Sequence, residues 1–219
     1  MRKDIIVPFI FIPVRLKHFK SDYKKKTINF LDVGCGNHSP RVTKKWFPEW
    51  NYYGIDKEDY NIDNQDKTNI KQYYKLDLSK DSLNIIPDNY FDVILMAHVI
   101  EHLPNGLDVV KQLAKKIKSG GKIYIEFPSE RSLALPSMYG TLNFCDDPTH
   151  IRIYSVVDLV NLLLQNNFRI IRAGTRRDKL MILTFPLRIL LKIIVHRKLG
   201  GGDFWDVLGF ASYVYAKKT

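Results

Sequence analysis

Cysteine is nearly missing from this chain of 219 residues, which has only Cys35 and Cys145. Two thiols exclude a disulfide scaffold and give no thiolate spacing for a metal, so a reducing cytoplasm is the expected compartment and no metal is expected. Long hydrophobic runs are lacking too: no stretch approaches the ~18 apolar residues of a spanning helix. The nearest, Ile5 to Val14 behind Met1-Arg2-Lys3, is broken by Pro8 and Pro13. No small-residue cleavage pattern follows it, which weighs against a secretory leader. Repeats, low-complexity tracts and convincing linkers are absent. Acidic side chains are in deficit, 23 against 34 basic ones, for a net charge of +11. That balance favours anionic partners such as phosphorylated metabolites, nucleic acid or an acidic membrane surface, without choosing among them.

What is present reads as a folded α/β protein. Apolar residues make up 45% and aromatics 12% of the chain, so wholesale disorder is excluded, and the length suits one domain spanning 1–219. Strand-like and helix-like patterns alternate, which predicts a mostly parallel sheet covered on both faces. Predicted strands run over 28–33, 51–55, 73–76, 91–96, 122–127, 168–172 and 211–216. Ser39 is the expected N-cap of a helix reaching Trp46, with Pro40 in its first turn. A second helix is expected from Glu101 or Pro104 to Lys118, ended by Gly120-Gly121, and a third from the Ser155 cap to Gln165. Residues 1–26 form a basic, apolar N-terminal segment. Residues 128–154 and 178–210 are the expected insertions on the substrate side.

The turn Asp32-Val33-Gly34-Cys35-Gly36 lies between the first strand and helix. Glycines there let a ligand approach the main chain, and N–H groups at a helix start meet polar or anionic ligand ends. Asp56 follows Gly36 by twenty positions at the end of the second strand, where an acidic side chain binds ribose hydroxyls. That spacing suits NAD as well. Asp32 points instead to a cofactor with an amino-acid end, because it would accept from an amino group that NAD lacks.

Here the chain resembles the class I S-adenosylmethionine-dependent methyltransferases, in particular those acting on small molecules and glycans. Asp32 to Gly36 matches the start of their D-x-G-C-G-x-G turn, with His38 where the third glycine would stand. Asp77 in Leu76-Asp77-Leu78 matches the residue that holds the adenine amino group, with Leu78 beside the ring. Phe91-Asp92-Val93-Ile94 leads into His98-Val99-Ile100-Glu101-His102, which resembles the family's V-x-E-H segment. Gly120-Gly121 and Asp147-Pro148-Thr149-His150-Ile151-Arg152 also fit. The resemblance implies a Rossmann-like sheet in the order 3-2-1-4-5-7-6 with strand seven antiparallel. It implies S-adenosylmethionine as cofactor, held by Asp32, Gly34, Cys35, Gly36, Asp56, Lys57, Asp77, Leu78 and His98.

The implied reaction is displacement at a sulfonium methyl by a small acceptor, expected to be a sugar or sugar phosphate in surface polysaccharide synthesis. A histidine base suits a hydroxyl acceptor. His150 and His102 are the preferred candidates and His98 the third, with Glu101, Asp146, Asp147 and Arg152 expected to orient the acceptor. An RNA or protein methyltransferase is the first alternative; the base-amine motif N/D-P-P-Y/F is lacking after strand four. A cofactor-binding partner subunit without catalysis is the second. In Phe185 to Lys198, the residues Arg188, Lys192 and His196 recur every four positions. This marks either a packed or lid helix with a solvated basic face or a contact with the inner face of the membrane. Gly200-Gly201-Gly202-Asp203-Phe204-Trp205-Asp206 is the expected mobile loop behind it.

Overall fold

The computed structural model describes residues 12–24, 26–195 and 198–219. Seven strands form one sheet: β1 (Asn29–Val33), β2 (Asn51–Asp56), β3 (Gln72–Lys75), β4 (Phe91–Ala97), β5 (Ile117–Pro128), β6 (Phe168–Thr175) and β7 (Ala211–Lys218). Their order is β3-β2-β1-β4-β5-β7-β6, as the resemblance implied. The pairs β1–β2, β1–β4, β2–β3 and β4–β5 are parallel, and β7 runs antiparallel to both β5 and β6.

Period-two alternation divides the sheet's side chains between two cores. Leu31 and Val33 of β1 face one core with Ile94 and Met96 of β4. Helices α5 (Gly106–Lys116) and α6 (Val156–Gln165) cover that side with Val109, Val110, Leu113, Leu159 and Leu163. Phe30, Val93 and Leu95 face the other core, beside Phe47 and Trp50 just after helix α3 (Ser39–Trp46). The short helices α1 (Val14–Lys17) and α2 (Lys20–Tyr23) also pack there, burying Leu16 and the intervening Phe19, and a further short helix, α4 (Asn64–Lys67), lies between β2 and β3. The His18 ring lies 4.9–5.3 Å from the rings of Tyr124, Tyr213 and Tyr215. Of the predicted N-terminal segment, residues 1–11 and 25 lie outside the described residues.

Several local expectations are corrected. Ser39 is not the cap of α3. His38 occupies the cap position in left-handed conformation (φ 59°), while the Ser39 hydroxyl turns back to Asp32. Gly120-Gly121 does not end a helix. The helix stops at Lys116, β5 begins at Ile117, and the glycines sit at a register shift where Gly120 adopts φ 79°. A positive-φ glycine suits such a bulge, so the helical spacing overran the true boundary. A 3-10 turn, Ile100–His102, precedes α5 as a separate element.

Between β6 and β7 lie α7 (Lys179–Leu183), α8 (Phe185–Ile194) and α9 (Trp205–Leu208). On α8 the expected solvated basic face is reversed. Lys192 bonds to Asp203 and Arg188 lies 3.9 Å from it, while Leu187, Leu190, Leu191, Ile193 and Ile194 are exposed. The sequence spacing put the cations on one face, but Asp203 in the glycine loop turns that face inward. His196 lies outside the described residues.

Candidate active site

A cavity of about 1050 Å3 opens at the carboxyl ends of β1, β2 and β4, where open α/β sheets bind ligands. At one end lies the glycine turn. Gly34 has φ 74°, and a Cβ there would lie 2.3 Å from Val99 Cγ2; at Gly36 a Cβ would lie 2.9 Å from the Tyr60 carbonyl oxygen. His38, where the family pattern has glycine, holds its left-handed backbone while its Nδ1 lies 2.6 Å from Asp66 Oδ2.

Asp32 is buried, and its Oδ2 accepts hydrogen bonds from the Ser39 and Tyr52 hydroxyls, both at 2.6 Å. Burial raises its pKa, against the pull of Arg15 and these hydrogen bonds. Asp56 accepts from the N–H groups of Gly36 at 3.0 Å and Glu58 at 3.3 Å. A carboxylate offers about four lone-pair sites, so Asp56 retains capacity for two ligand hydroxyls. Asp77 Oδ1 accepts from the Ser79 N–H and hydroxyl. Lys57, Asp77 and Leu78 line the same cavity.

Cys35 is placed elsewhere. Its side chain is buried in the core against Gly54, and burial pushes its thiol pKa upward. Only its main chain belongs to the turn.

The other end holds His98, His102, Asp147, Thr149 and His150. The carbonyl oxygen of Glu101 accepts from the N–H groups of Ile151 (3.0 Å) and Arg152 (3.2 Å). This pins the 3-10 turn against residues 147–152 and brings the His102 and His150 ring centres within 4.9 Å. His102 Nδ1 lies 3.0 Å from the Thr149 carbonyl oxygen, and His150 Nδ1 lies 2.7 Å from that of Phe144. A carbonyl only accepts, so each Nδ1 carries hydrogen, and in the neutral ring the lone pair is on Nε2.

His98 differs from this pair. Its Nε2 lies 3.0 Å from Glu126 Oε1 and its Nδ1 3.3 Å from Glu101 Oε1. Burial alone would lower its pKa, but the two carboxylates reverse that and lift it to about 9. It is therefore charged at neutral pH and has no free lone pair, which removes the third candidate for a base. Two acceptor-side expectations also fail. Asp146 spends its carboxylate on the Ser137 hydroxyl and the N–H groups of Met138, Leu142 and Asn143, closing its own loop. Arg152 lies over the Tyr154 ring, 5.1 Å from its centre, and does not line the cavity.

Sequence reading missed the support beneath His98. Glu126 accepts from Arg176 Nη1 (2.9 Å) and the Tyr124 hydroxyl (2.6 Å), while Arg176 Nη2 donates to Asp206 (3.0 Å). Arg176, its chief counter-charge, holds the Glu126 carboxyl well below the usual range despite burial. The Trp205 ring lies 4.8 Å from that of His98. Trp205 also donates to the Thr141 carbonyl oxygen, which fixes the loop once expected to be mobile. No spacing signal links these residues; only the β5–β7–β6 pairing does. A smaller hollow of about 340 Å3 beside β3, lined by Asp59, Ile62, Lys67 and Tyr73 among others, contains neither the glycine turn nor the histidines.

With this geometry established, likeness to known proteins carries weight. A protein of Methanocaldococcus jannaschii is 32% identical over 115 residues, covering 50% of this chain and 31% of its own length. The ubiquinone biosynthesis O-methyltransferase of Coxiella burnetii is 28% identical over 123 residues, covering 51% of this chain and 48% of its own length. The matched stretch thus spans half or less of these curated relatives. A solved methyltransferase structure from Archaeoglobus fulgidus superimposes with a TM-score of 0.59 at 21% identity, covering 93% of this chain and 91% of that one. The family described as methyltransferase domain matches residues 11–173. The chain belongs to that family and has the Rossmann-like class I S-adenosylmethionine-dependent methyltransferase fold.

Proposed function

We propose that the chain transfers the methyl group of S-adenosylmethionine to an oxygen of a small-molecule acceptor. The observation that carries this reading is the cavity itself, which joins the glycine turn and the strand-end carboxylates to the His102–His150 pair without a partition. The residues fit the cofactor. Gly34 and Gly36 leave the main chain open, Asp56 has spare acceptor capacity for the ribose hydroxyls, Asp77 and Leu78 flank the adenine position, and Asp32 with Arg15 meets the amino-acid end. The cofactor supplies a sulfonium-activated methyl, so the chain's main task is to hold the acceptor oxygen in line. His102 and His150 present their Nε2 lone pairs where that oxygen would stand.

The cavity wall favours a polyol or phenol as acceptor. Among the described residues five carboxylates line it (Asp32, Asp56, Glu58, Asp77 and Asp147) against three cations, Arg15, Lys57 and the charged His98. A sugar or sugar phosphate, as in surface polysaccharide synthesis, is the favoured class. The exposed leucine face of α8, beside a chain of net charge +11, supports docking at the acidic inner surface of a membrane.

Calorimetric titration of S-adenosylhomocysteine tests the cofactor site. Micromolar-range binding, weakened by about 1–3 kcal/mol in Asp56→Ala through lost charged hydrogen bonds, is expected. Absence of binding by the folded wild type would sink the reading and make NAD the next ligand to test.

A further inference from the structure

We propose that Glu101, His102 and His150 form a binding site for a first-row divalent metal ion of the zinc type, set in the acceptor end of the cavity. The proposal deepens the methyl-transfer reading, since it names what holds the acceptor's oxygen.

One ligand atom from each of the three side chains lies within 4.8 Å of the others. Proximity alone would carry little, but Glu101 adds an independent observation. Its side chain is 1% exposed, and neither carboxylate oxygen has a hydrogen-bond partner among the described residues. Oε1 shares the charge of His98, but Oε2 meets no donor or cation among the described residues, and a buried carboxylate oxygen left so is costly and calls for a counterpart. Oε1 faces the His150 ring, 3.9 Å from Nε2. Its 3.3 Å approach to His98 Nδ1 is an ionic contact lacking hydrogen-bond direction.

The histidines are prepared as ligands. Each donates its Nδ1–H to a backbone carbonyl, of Thr149 or Phe144. That outer contact fixes ring orientation and tautomer in metal sites and leaves Nε2 as the donor atom. Two imidazoles and a carboxylate suit zinc, iron and their first-row neighbours better than magnesium or calcium. Bonds of about 2.0–2.2 Å place neighbouring ligand atoms roughly 3.3 Å apart, so the 3.9 Å pair has to close by about 0.6 Å and any separation up to the 4.8 Å bound by at most about 1.5 Å. Asp147 Oδ2, also 3.9 Å from His150 Nε2, is in reach as a fourth group. His102, His150 and Asp147 line the cavity, so open coordination positions face the acceptor. On this view the two Nε2 lone pairs are ligands rather than bases.

The cluster His38, Asp63 and Asp66 is a natural control. There the carboxylates are already engaged. Asp66 accepts from the Asp63 and Arg41 N–H groups and pairs with His38, while Asp63 accepts from the Asp66 N–H and Arg41 Nη1.

The test titrates Co2+ into chelator-treated full-length protein and follows visible d–d absorption, with Zn2+ as competitor. One equivalent of a four- or five-coordinate spectrum, displaced by Zn2+, is expected. His102→Ala and Glu101→Gln should each weaken binding by more than the ~10–100-fold typical of outer-shell changes, while His38→Ala leaves it intact. His102 is only half-buried, so its variant remains informative even where Glu101→Gln folds poorly. No d–d spectrum from folded wild type, a spectrum unaffected by both variants, or one abolished by His38→Ala would each overturn the proposal. S-adenosylhomocysteine calorimetry on the metal-free protein separates the two readings. Cofactor binding without metal binding sinks only the metal site, and metal binding without cofactor binding sinks only methyl transfer.

Discussion

Gly34→Ala tests the idea that the first turn is shaped by backbone demand. Two separate costs are visible at this residue. Its φ of 74° is left-handed, where an L side chain costs about 1–2 kcal/mol. An added Cβ would also lie 2.3 Å from Val99 Cγ2, and such overpacking costs about 1–3 kcal/mol. The alanine recovers ~0.4–1 kcal/mol by restricting the unfolded chain. The expected net loss is therefore roughly 2–4 kcal/mol, read as a lower urea midpoint with unchanged slope. Val99→Ala separates the terms because it removes the clashing methyl and leaves φ untouched. In the double variant the steric part should vanish, giving a favourable coupling of at least ~1 kcal/mol, within the range for residues in contact. A Gly34→Ala protein within ~0.5 kcal/mol of wild type would refute the reasoning outright. A full loss with no rescue by Val99→Ala would assign the whole cost to the backbone and refute the steric half.

Signals of this kind explain which parts of the fold were legible in the sequence. Gly34 and Gly36 sit where few other residues fit, and the apolar run of β4 marks a strand buried on both sides, so the turn, the strands and the strand-end places of Asp56 and Asp77 could be read locally, whereas the strand order came from the family resemblance. Boundaries failed where one local rule competed with another. Ser39 looks like a cap by type, yet a hydrogen bond to Asp32 seven residues earlier outweighs that preference. Gly120-Gly121 reads equally as a helix stop and as a bulge, and pairing with β4 decides. Side chains whose roles depend on distant partners were harder still. The motif placed His98 correctly in the cavity but could not show that Glu126, 28 residues on, takes away its lone pair. Asp146 and Asp147 are neighbours of one residue type, and only the folded loop shows that the first is consumed internally while the second faces the cavity.

Two further outcomes follow from ion pairs that fasten Asp178 to α1 and Asp206 to β5 through Arg176. Asp178 pairs with Lys17 at 2.5 Å and caps α7 through the Met181 N–H at 3.0 Å. Burial would raise its pKa, but Lys17 and the capping bonds outweigh that and lower it. A depressed carboxylate stabilises the fold above its unfolded pKa of about 3.9 and loses that effect as pH falls through the lower folded value. Asp178→Asn should therefore cost ~1–2 kcal/mol at pH 7, and urea midpoints of the two proteins should converge below about pH 4. A difference independent of pH would contradict this account. Arg176 makes the larger case. Its guanidinium bridges Glu126 and Asp206 at 2.9 and 3.0 Å with 12% of the side chain exposed. Arg176→Met leaves the Glu126 carboxylate buried with only Tyr124 and His98 as partners, and breaking a buried pair in this way costs about 3–5 kcal/mol. Because the penalty comes from the charge left behind, Arg176→Met/Glu126→Gln should be more stable than Arg176→Met alone, even though it removes more of the native contacts. Denaturation of the three proteins decides the matter. A double variant weaker than the single one would show that Arg176 acts through packing on Trp205, 5.3 Å away, rather than through its charge.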